Sequence, residues 1–365
     1  MTTRSVAFNG KFLSASMTGV HRVAWELISG VQDLLTESDD ASRPDCRMIA
    51  PRSARPLAPL TDIPLSTRSL LTWQVWEQFE LPLRARSALL VSLCNLSPIL
   101  HRPAITMIHD AQVFLTPDSY SPAFRSWYQF ALPAIGRSAR RILTVSDYSR
   151  QQLVRFGVAP ASRIDVIHNG SDHILLCPPS PDIVPRLGLE PGRYVVALAN
   201  TQVHKNIATL VTASSLRSMA GVKLVLVGAA TGDDFRAAGM TTLDNVVFAG
   251  RTSDSELRSL MEHAACLAFP SLTEGFGLPP AEAMRLGCPV AAAPEGALPE
   301  VCGDAAVYVP ALDPEAWAEA LRNFADSESL RSTHAALGRA RNGLFQWRSA
   351  SQQLLDIIRR ELETV

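Results

Sequence analysis

Short apolar runs alternate along the chain with segments whose apolar residues return every three or four positions. Val6–Asn9 is strand-like and ends at Gly10; Val20, Val23, Ala24, Leu27, Ile28, Val31, Leu34 and Leu35 then trace one face of a helix. Strand-like runs recur at Met48–Ala50, Leu89–Leu93, Ala104–Ile108, Arg141–Val145 and Ile164–Ile167, with helices expected over 123–138 and 147–156, the second capped by Ser146. The alternation starts afresh at Tyr194–Leu198. It continues through Lys223–Val227, Val246–Ala249, Cys266–Phe269, Val290–Ala293 and Ala306–Val309, with helices over 207–218, 253–263 and the C-terminal part. Strands alternating with helices predict parallel sheets covered on both faces. The expected fold class is α/β, two doubly wound Rossmann-like domains, 1–172 and 193–346. Pro178, Pro179, Pro181, Pro185 and Pro191 mark 173–192 as a linker. Leu354, Leu355, Ile358 and Leu362 make 347–365 an amphipathic helix.

With 365 residues, two domains are the default. The net charge of −1 argues against a general nucleic-acid binder, although the first half carries a slight basic excess and the second a slight acidic one. Cys46, Cys94, Cys177, Cys266, Cys288 and Cys302 form no C-x-x-C pair, so a reducing compartment and no structural zinc are expected. No uncharged apolar stretch reaches the ~18 residues of a membrane span, and the N-terminus lacks a signal-peptide core; a cytoplasmic protein, at most peripheral to the inner membrane, is expected.

Residues 270–290 concentrate the chemistry. Glu274 and Glu282 flank Gly275, Phe276, Gly277 and Leu278, followed by Pro279 and Pro280. The stretch reads as a glycine turn between a strand and a helix, with the prolines and Glu282 in the first helical turn. Such a turn offers backbone N–H groups to an anion, but it is also a common connection in any α/β protein. Lys205 stands where a helix begins after a strand, suited to a phosphate or simply solvated. His109, with Asp110 after the run 104–108, either meets a ligand at the strand's carboxyl end or is a satisfied structural histidine. Gly19 either admits a ligand to the backbone or lies in an ordinary helix cap region, and Arg22 reaches a phosphate or water. Residues 41–68, rich in proline and arginine, read as irregular surface. Trp73, Trp76 and Phe79 form a stripe that is either core or, with Arg68, Arg84 and Arg86, an amphipathic face for an anionic membrane. No G-x-G-x-x-G occurs, which removes a nicotinamide oxidoreductase.

The ordered set of Glu274-x7-Glu282, His109-Asp110, Val145 to Ser149, Ile167 to Gly170, His204-Lys205-Asn206, Phe248-Ala249-Gly250 and Phe345-Gln346-Trp347 resembles family 4 glycosyltransferases of the GT-B fold. The resemblance spans nearly the whole chain and implies two domains facing a cleft, with 347–365 packing back on the first. It implies a retaining, metal-independent hexosyltransferase with a GDP- or UDP-linked sugar as donor and no cofactor. The hexose, such as mannose, would pass to a glycan or lipid-linked acceptor in surface polysaccharide synthesis. The absence of an Asp-x-Asp triplet agrees with this. By resemblance Lys205 and Asn206 face the diphosphate and Glu282 the ribose. Glu274 and His109 would lie at the donor sugar, with the 275–278 amides and Gly19 close by. Many relatives carry an arginine a few residues before the lysine; here 200–204 holds none, so a second phosphate clamp would fall to His204 or Arg251. A sugar-nucleotide epimerase of the same fold is the alternative.

Overall fold

A computed structural model of the chain describes residues 5–38, 43–55, 58, 60–241 and 243–363. It divides into two compact units, one of Met1–Gly170 with Trp347–Val365, the other of Ser171–Gln346.

The first unit contains a seven-stranded sheet built from β1 (Ser5–Asn9), β2 (Asp45–Ile49), β3 (Leu65–Ser66), β4 (Leu89–Ser92), β5 (Ala104–Met107), β6 (Arg141–Thr144) and β7 (Ile164–Val166). Their order is β3-β2-β1-β4-β5-β6-β7 and every pairing is parallel. Residues such as Val6, Ala7, Phe8, Leu90 and Val91 are wholly buried on both faces, so the strands read as continuous apolar runs without alternation. The helix Gly19–Thr36 starts at Thr18, whose hydroxyl accepts from the His21 amide. It packs against the C-terminal helix Trp347–Glu363, which buries Leu354, Leu355 and Ile358. Truncating any of these leucines to alanine would cost about 2–5 kcal/mol.

In the second unit β8 (Tyr194–Leu198), β9 (Lys223–Val227), β10 (Val246–Gly250), β11 (Cys266–Phe269), β12 (Val290–Ala292) and β13 (Ala306–Tyr308) form a parallel sheet ordered β10-β9-β8-β11-β12-β13. Val195, Leu224, Leu226, Leu210, Trp317 and Phe324 join its core. In both sheets the first strand has later strands on each side. The chain therefore leaves it in opposite directions, opening a crevice at the carboxyl ends of β1/β4 and of β8/β11.

Two local expectations change. The proline-rich stretch 173–192 is folded onto the second unit. Arg258 donates to the carbonyls of Leu175 (3.0 Å) and Cys177 (2.8 Å), and the Ser259 hydroxyl donates to that of Ser180 (2.7 Å). Proline lacks an amide donor but keeps its carbonyl and fixes its φ, so such a stretch can lie flat on a helix. The aromatic stripe also divides. Trp76 is fully buried, whereas Trp73 and Phe79 are 82% and 66% exposed. The segment Trp76–Glu80 is wound as a π-helix, which rotates successive side chains away from a single α-helical face. Of the stretch 41–68, residues 41, 42, 56, 57 and 59 lie outside the described residues. Among the described residues, no helix is long and apolar enough to cross a membrane.

Candidate functional site

In the second unit the loops after β8 and β11 meet at the switch point. Val203–Lys205 forms one 3-10 turn, and Asn206 takes a left-handed conformation (φ 54°) before the helix Ile207–Ser214. The Leu272 amide donates to the His204 carbonyl at 2.8 Å, tying the two loops. Across this junction the Lys205 ammonium donates to Glu274 Oε1 at 2.7 Å. The Glu274 side chain is 10% exposed and that of Lys205 21%, so the pair is largely desolvated and either partner alone would be costly to bury.

The turn 275–277 delivers the chain into the helix Leu278–Leu286. Gly277 is its N-cap with φ +93°, a conformation that L side chains avoid. Pro279 and Pro280 occupy the second and third helical positions and bring no N–H. The helix start therefore offers an anion chiefly the amides of Gly277 and Leu278, with Ala281 already donating to the Gly277 carbonyl. Phe276 is buried with its ring edge-on to Phe345, 5.4 Å between centroids. Glu282 falls in the second helical turn and not the first, because the helix begins at Leu278. Its Oε1 accepts from His173 Nε2 at 2.9 Å, and both side chains are buried. Oε2 is the oxygen left for a diol.

Sequence reasoning missed His173, which lies in the stretch read as linker and shows no helical or strand period. It also missed Gly296. A Cβ there would lie 2.5 Å from the Glu274 nitrogen, and its φ is +64°. Gly296 thus lets 293–297 press on the Glu274 backbone, whose carbonyl accepts from the Ala297 amide at 3.0 Å. An isolated glycine before a helix gives no sequence signal of that closeness.

Three expected site residues behave differently from the reading above. Both amide hydrogens of Asn206 are engaged, by the Pro270 and Ala311 carbonyls at 3.1 and 2.7 Å, and its Oδ1 accepts from Thr209. Its side chain braces loops and has no donor left for a diphosphate. His204 is buried, and burial beside the Lys205 charge lowers its pKa to about 4, so it is neutral and cannot clamp by charge. Arg251 is exposed at the end of β10, two strands from β8, or about 10 Å at ordinary strand spacing. The structure thus joins Lys205 to Glu274 ahead of the 275–278 turn, sets Glu282 on the helix that follows against His173, and places Arg251 two strands away.

In the first unit, His109 follows β5. Burial lowers its pKa to about 4. A neutral ring 2.8 Å from the Leu93 carbonyl through Nε2 must carry its proton there, since a carbonyl only accepts. His109 therefore does not donate to a ligand through Nε2 or hold a second proton; it offers a lone pair at Nδ1. Its backbone is fixed by the Asn95 side chain (2.8 Å) and the Ser149 hydroxyl (2.9 Å). At Gly19 a Cβ would meet no described atom within 4 Å, so the fold itself does not require glycine there.

Comparison with known proteins places this geometry in a family. Residues 192–327 match the sequence family described as glycosyl transferases group 1, and residues 18–174 match glycosyltransferase family 4. An O-antigen chain mannosyltransferase B of Escherichia coli is 31% identical over 267 residues, 69% of this chain and 69% of that protein. A D-inositol 3-phosphate glycosyltransferase of a Nocardioides species is 30% identical over 61% of this chain and 54% of its own length. The solved structure of HepE from Anabaena in complex with UDP-glucose superposes with a TM-score of 0.72, at 19% identity, covering 99% of this chain and all of that one.

Proposed function

The chain belongs to glycosyltransferase family 4, the glycosyl transferases group 1 of the GT-B fold, and on that premise we propose that its second unit holds a nucleotide-diphospho-sugar at the β8/β11 switch point. The observation that carries this reading is the Lys205–Glu274 pair at that point, with Glu282 in the second turn of the helix that follows. Lys205 and the Gly277 and Leu278 amides neutralise the diphosphate as it departs. Glu282 Oε2 accepts from a ribose hydroxyl. Glu274 accepts from a hydroxyl of the donor sugar and stabilises positive charge growing at the anomeric carbon. Entry of the diphosphate draws Lys205 from Glu274 and frees that carboxylate for the sugar. The pair thus serves both ends of the donor.

The reaction proposed is metal-independent transfer of a hexose, mannose, with retention at the anomeric carbon. The acceptor is a growing saccharide in surface polysaccharide synthesis. The mannosyl choice follows the Escherichia coli relative; the nucleotide-sugar class follows the UDP-glucose complex of the Anabaena protein. Retention is taken from the family resemblance, with the leaving phosphate taking the acceptor proton. On the first unit, exposed Leu70, Trp73, Phe79 and Leu83 stand with exposed Arg68 and Arg86 on one stretch of chain, a composition suited to peripheral contact with an anionic membrane.

The test is incubation of the purified protein with GDP-mannose, GDP-glucose, UDP-glucose and UDP-galactose, with EDTA, and with membrane saccharide extract as acceptor. Mass-resolved addition of one hexose, from one donor, is expected. Epimerised donor without acceptor would overturn the reading.

A further inference from the structure

A pocket of about 360 Å³ in the first unit is walled by Arg52, Thr67, Arg68, Ser69, Leu70 and Arg84. Its size is at the lower end of the usual range for small ligands. The pairing of β2 with β3 builds it. Met48 pairs with Leu65 and Ile49 with Ser66, and the Ala50 amide still donates to the Ser66 carbonyl at 2.9 Å. The two chain segments that leave these strands bring Arg52 to residues 67–70. Because β3 is the outermost strand, the pocket lies at the edge of the sheet. Pro51 and Ser53 line a different, larger cavity together with Asn9 and Lys11, while Arg52 between them lines this one. One short segment thus divides the two spaces.

Three guanidinium groups share the pocket in a protein whose net charge is −1. Like charges repel, so the grouping is not a by-product of a basic surface. Arg84 alone of the three has a carboxylate partner among the described residues: its Nε and Nη2 meet Glu80 Oε1 at 2.8 and 2.7 Å. Glu80 Oε2 accepts from the Leu70 and Leu71 amides, both at 2.9 Å. That carboxylate therefore ties 70–71 to the helix Leu81–Ala85 and holds the Arg84 fork with its Nη1 hydrogens to spare. Arg52 and Arg68 are exposed and form no ion pair among the described residues. The contrast is Lys11 in the larger cavity, whose charge is met by Glu77 Oε2 at 2.6 Å. With Glu80 counted, two positive charges of the pocket are left uncompensated. The Arg52 amide donates to Ser69 Oγ at 2.8 Å, which leaves the hydroxyl hydrogen of Ser69 for a ligand, and Thr67 brings a second hydroxyl.

Guanidinium forks match phosphate oxygens through paired N–H bonds. A terminal phosphate has three such oxygens and carries close to two negative charges at neutral pH, its second pKa being about 6. A phosphodiester has two free oxygens and one charge. The first fits three forks and two uncompensated charges; the second leaves a fork unfilled. We propose that this pocket binds a terminal phosphate, held by Arg52, Arg68 and Arg84 with the Ser69 and Thr67 hydroxyls donating. The proposal stands apart from the donor reading. The phosphate belongs either to a soluble ester or to a lipid head group, for which Leu70, 94% exposed at the rim, offers an apolar contact.

Calorimetric titration of the full chain with glycerol 3-phosphate and with dimethyl phosphate tests it. The monoester should bind, and the diester ~10-fold or more weakly. Arg52→Gln and Arg68→Gln change exposed side chains, so melting should be unaltered, and each should lower the monoester affinity ~10-fold or more, the loss expected for a hydrogen bond between charged groups. Arg86→Gln removes the same charge from an exposed position outside the pocket and should leave the affinity as it is. Flotation with phosphatidylcholine vesicles holding equal fractions of phosphatidic acid or phosphatidylglycerol distinguishes the sources. A preference for phosphatidic acid that Arg52→Gln removes assigns the phosphate to a lipid; equal flotation with both, alongside binding of glycerol 3-phosphate, assigns it to a soluble ester. Failure of glycerol 3-phosphate to bind, equal affinity for dimethyl phosphate, full affinity in Arg52→Gln and Arg68→Gln, or an equal loss in Arg86→Gln would overturn the proposal.

Discussion

Lys205 and Glu274 stand 69 positions apart in sequence, yet the ammonium and carboxylate meet at 2.7 Å where the β8 and β11 loops join. The pair is both a loop clasp and the proposed donor contact. Lys205→Ala should therefore abolish transfer and also leave Glu274 buried without its cation, a loss of about 3 kcal/mol or more. Glu274→Gln keeps the hydrogen-bond acceptor but not the charge. It should lose less stability than Lys205→Ala, because Lys205 keeps a hydrogen-bond acceptor and is the more exposed partner, and lose ~100-fold or more in kcat, the scale of removing one transition-state contact. Full activity in Glu274→Gln would contradict its role at the anomeric carbon.

His173 holds Glu282 Oε1 at 2.9 Å and acts as a positioning residue. His173→Leu should raise KM for the donor ~10-fold with kcat nearly unchanged, because the proposed Glu282 contact to the ribose would loosen while the proposed reacting centre is untouched. His173→Gln, which can still donate, should recover part of that loss. Equal losses in kcat and KM would mean that His173 acts on the fold as a whole.

Acid should weaken both units. His109 and His204 are buried and neutral, with pKa values lowered to about 4 from an ordinary 6.5. The unfolded chain binds a proton at each between those values and the folded chain does not, so stability falls as pH drops from 6.5 toward 4 and is flat above about 7. Each contributes up to about 3 kcal/mol across that window. Urea titrations at pH 7.5, 6 and 5 should show a steadily falling midpoint, and a smaller fall in His109→Gln. A midpoint independent of pH in this range would show that these rings are hydrated.

Gly296→Ala places a methyl 2.5 Å from the Glu274 nitrogen at φ +64°. Backbone cannot yield as a flexible side-chain end would, so 293–297 must move and Glu274 with it. Melting should fall and transfer should fall further than stability alone explains. The contrast is Gly19→Ala, which no described atom opposes: its melting should be unchanged or raised.

Anionic vesicles should bind the chain and neutral ones should not. Replacing Trp73 and Phe79 by serine should reduce flotation with anionic vesicles several-fold at low salt. Retention of full binding would place the contact elsewhere on the surface.

The strand pattern was legible because parallel strands buried on both faces are continuous apolar runs. Lys223–Val227 and Cys266–Phe269 begin and end where those runs do. The loops after β8 and β11 were legible as well, since Lys205 and Glu274 sit in the segments that follow those strands and Glu282 stands at a recognisable spacing in the next helix. What could not be read depends on distant partners. His173 gains its meaning from Glu282, 109 positions away, and Lys11 from Glu77, 66 away. Asn206 was assigned to the donor through the family resemblance of His204-Lys205-Asn206; only the Pro270 and Ala311 carbonyls show that its hydrogens are spent. The stripe of Trp73, Trp76 and Phe79 misled because a π turn changes the period that the argument assumed.

The most direct test of the central claim is calorimetric titration of the wild type and Lys205→Ala with GDP-mannose and UDP-glucose. One of the two should bind the wild type and lose ~30-fold or more in affinity in the variant, as expected when a charge-assisted phosphate contact is removed. Absence of binding by both nucleotide sugars, or equal affinity in wild type and variant, would contradict a donor site at the β8/β11 junction.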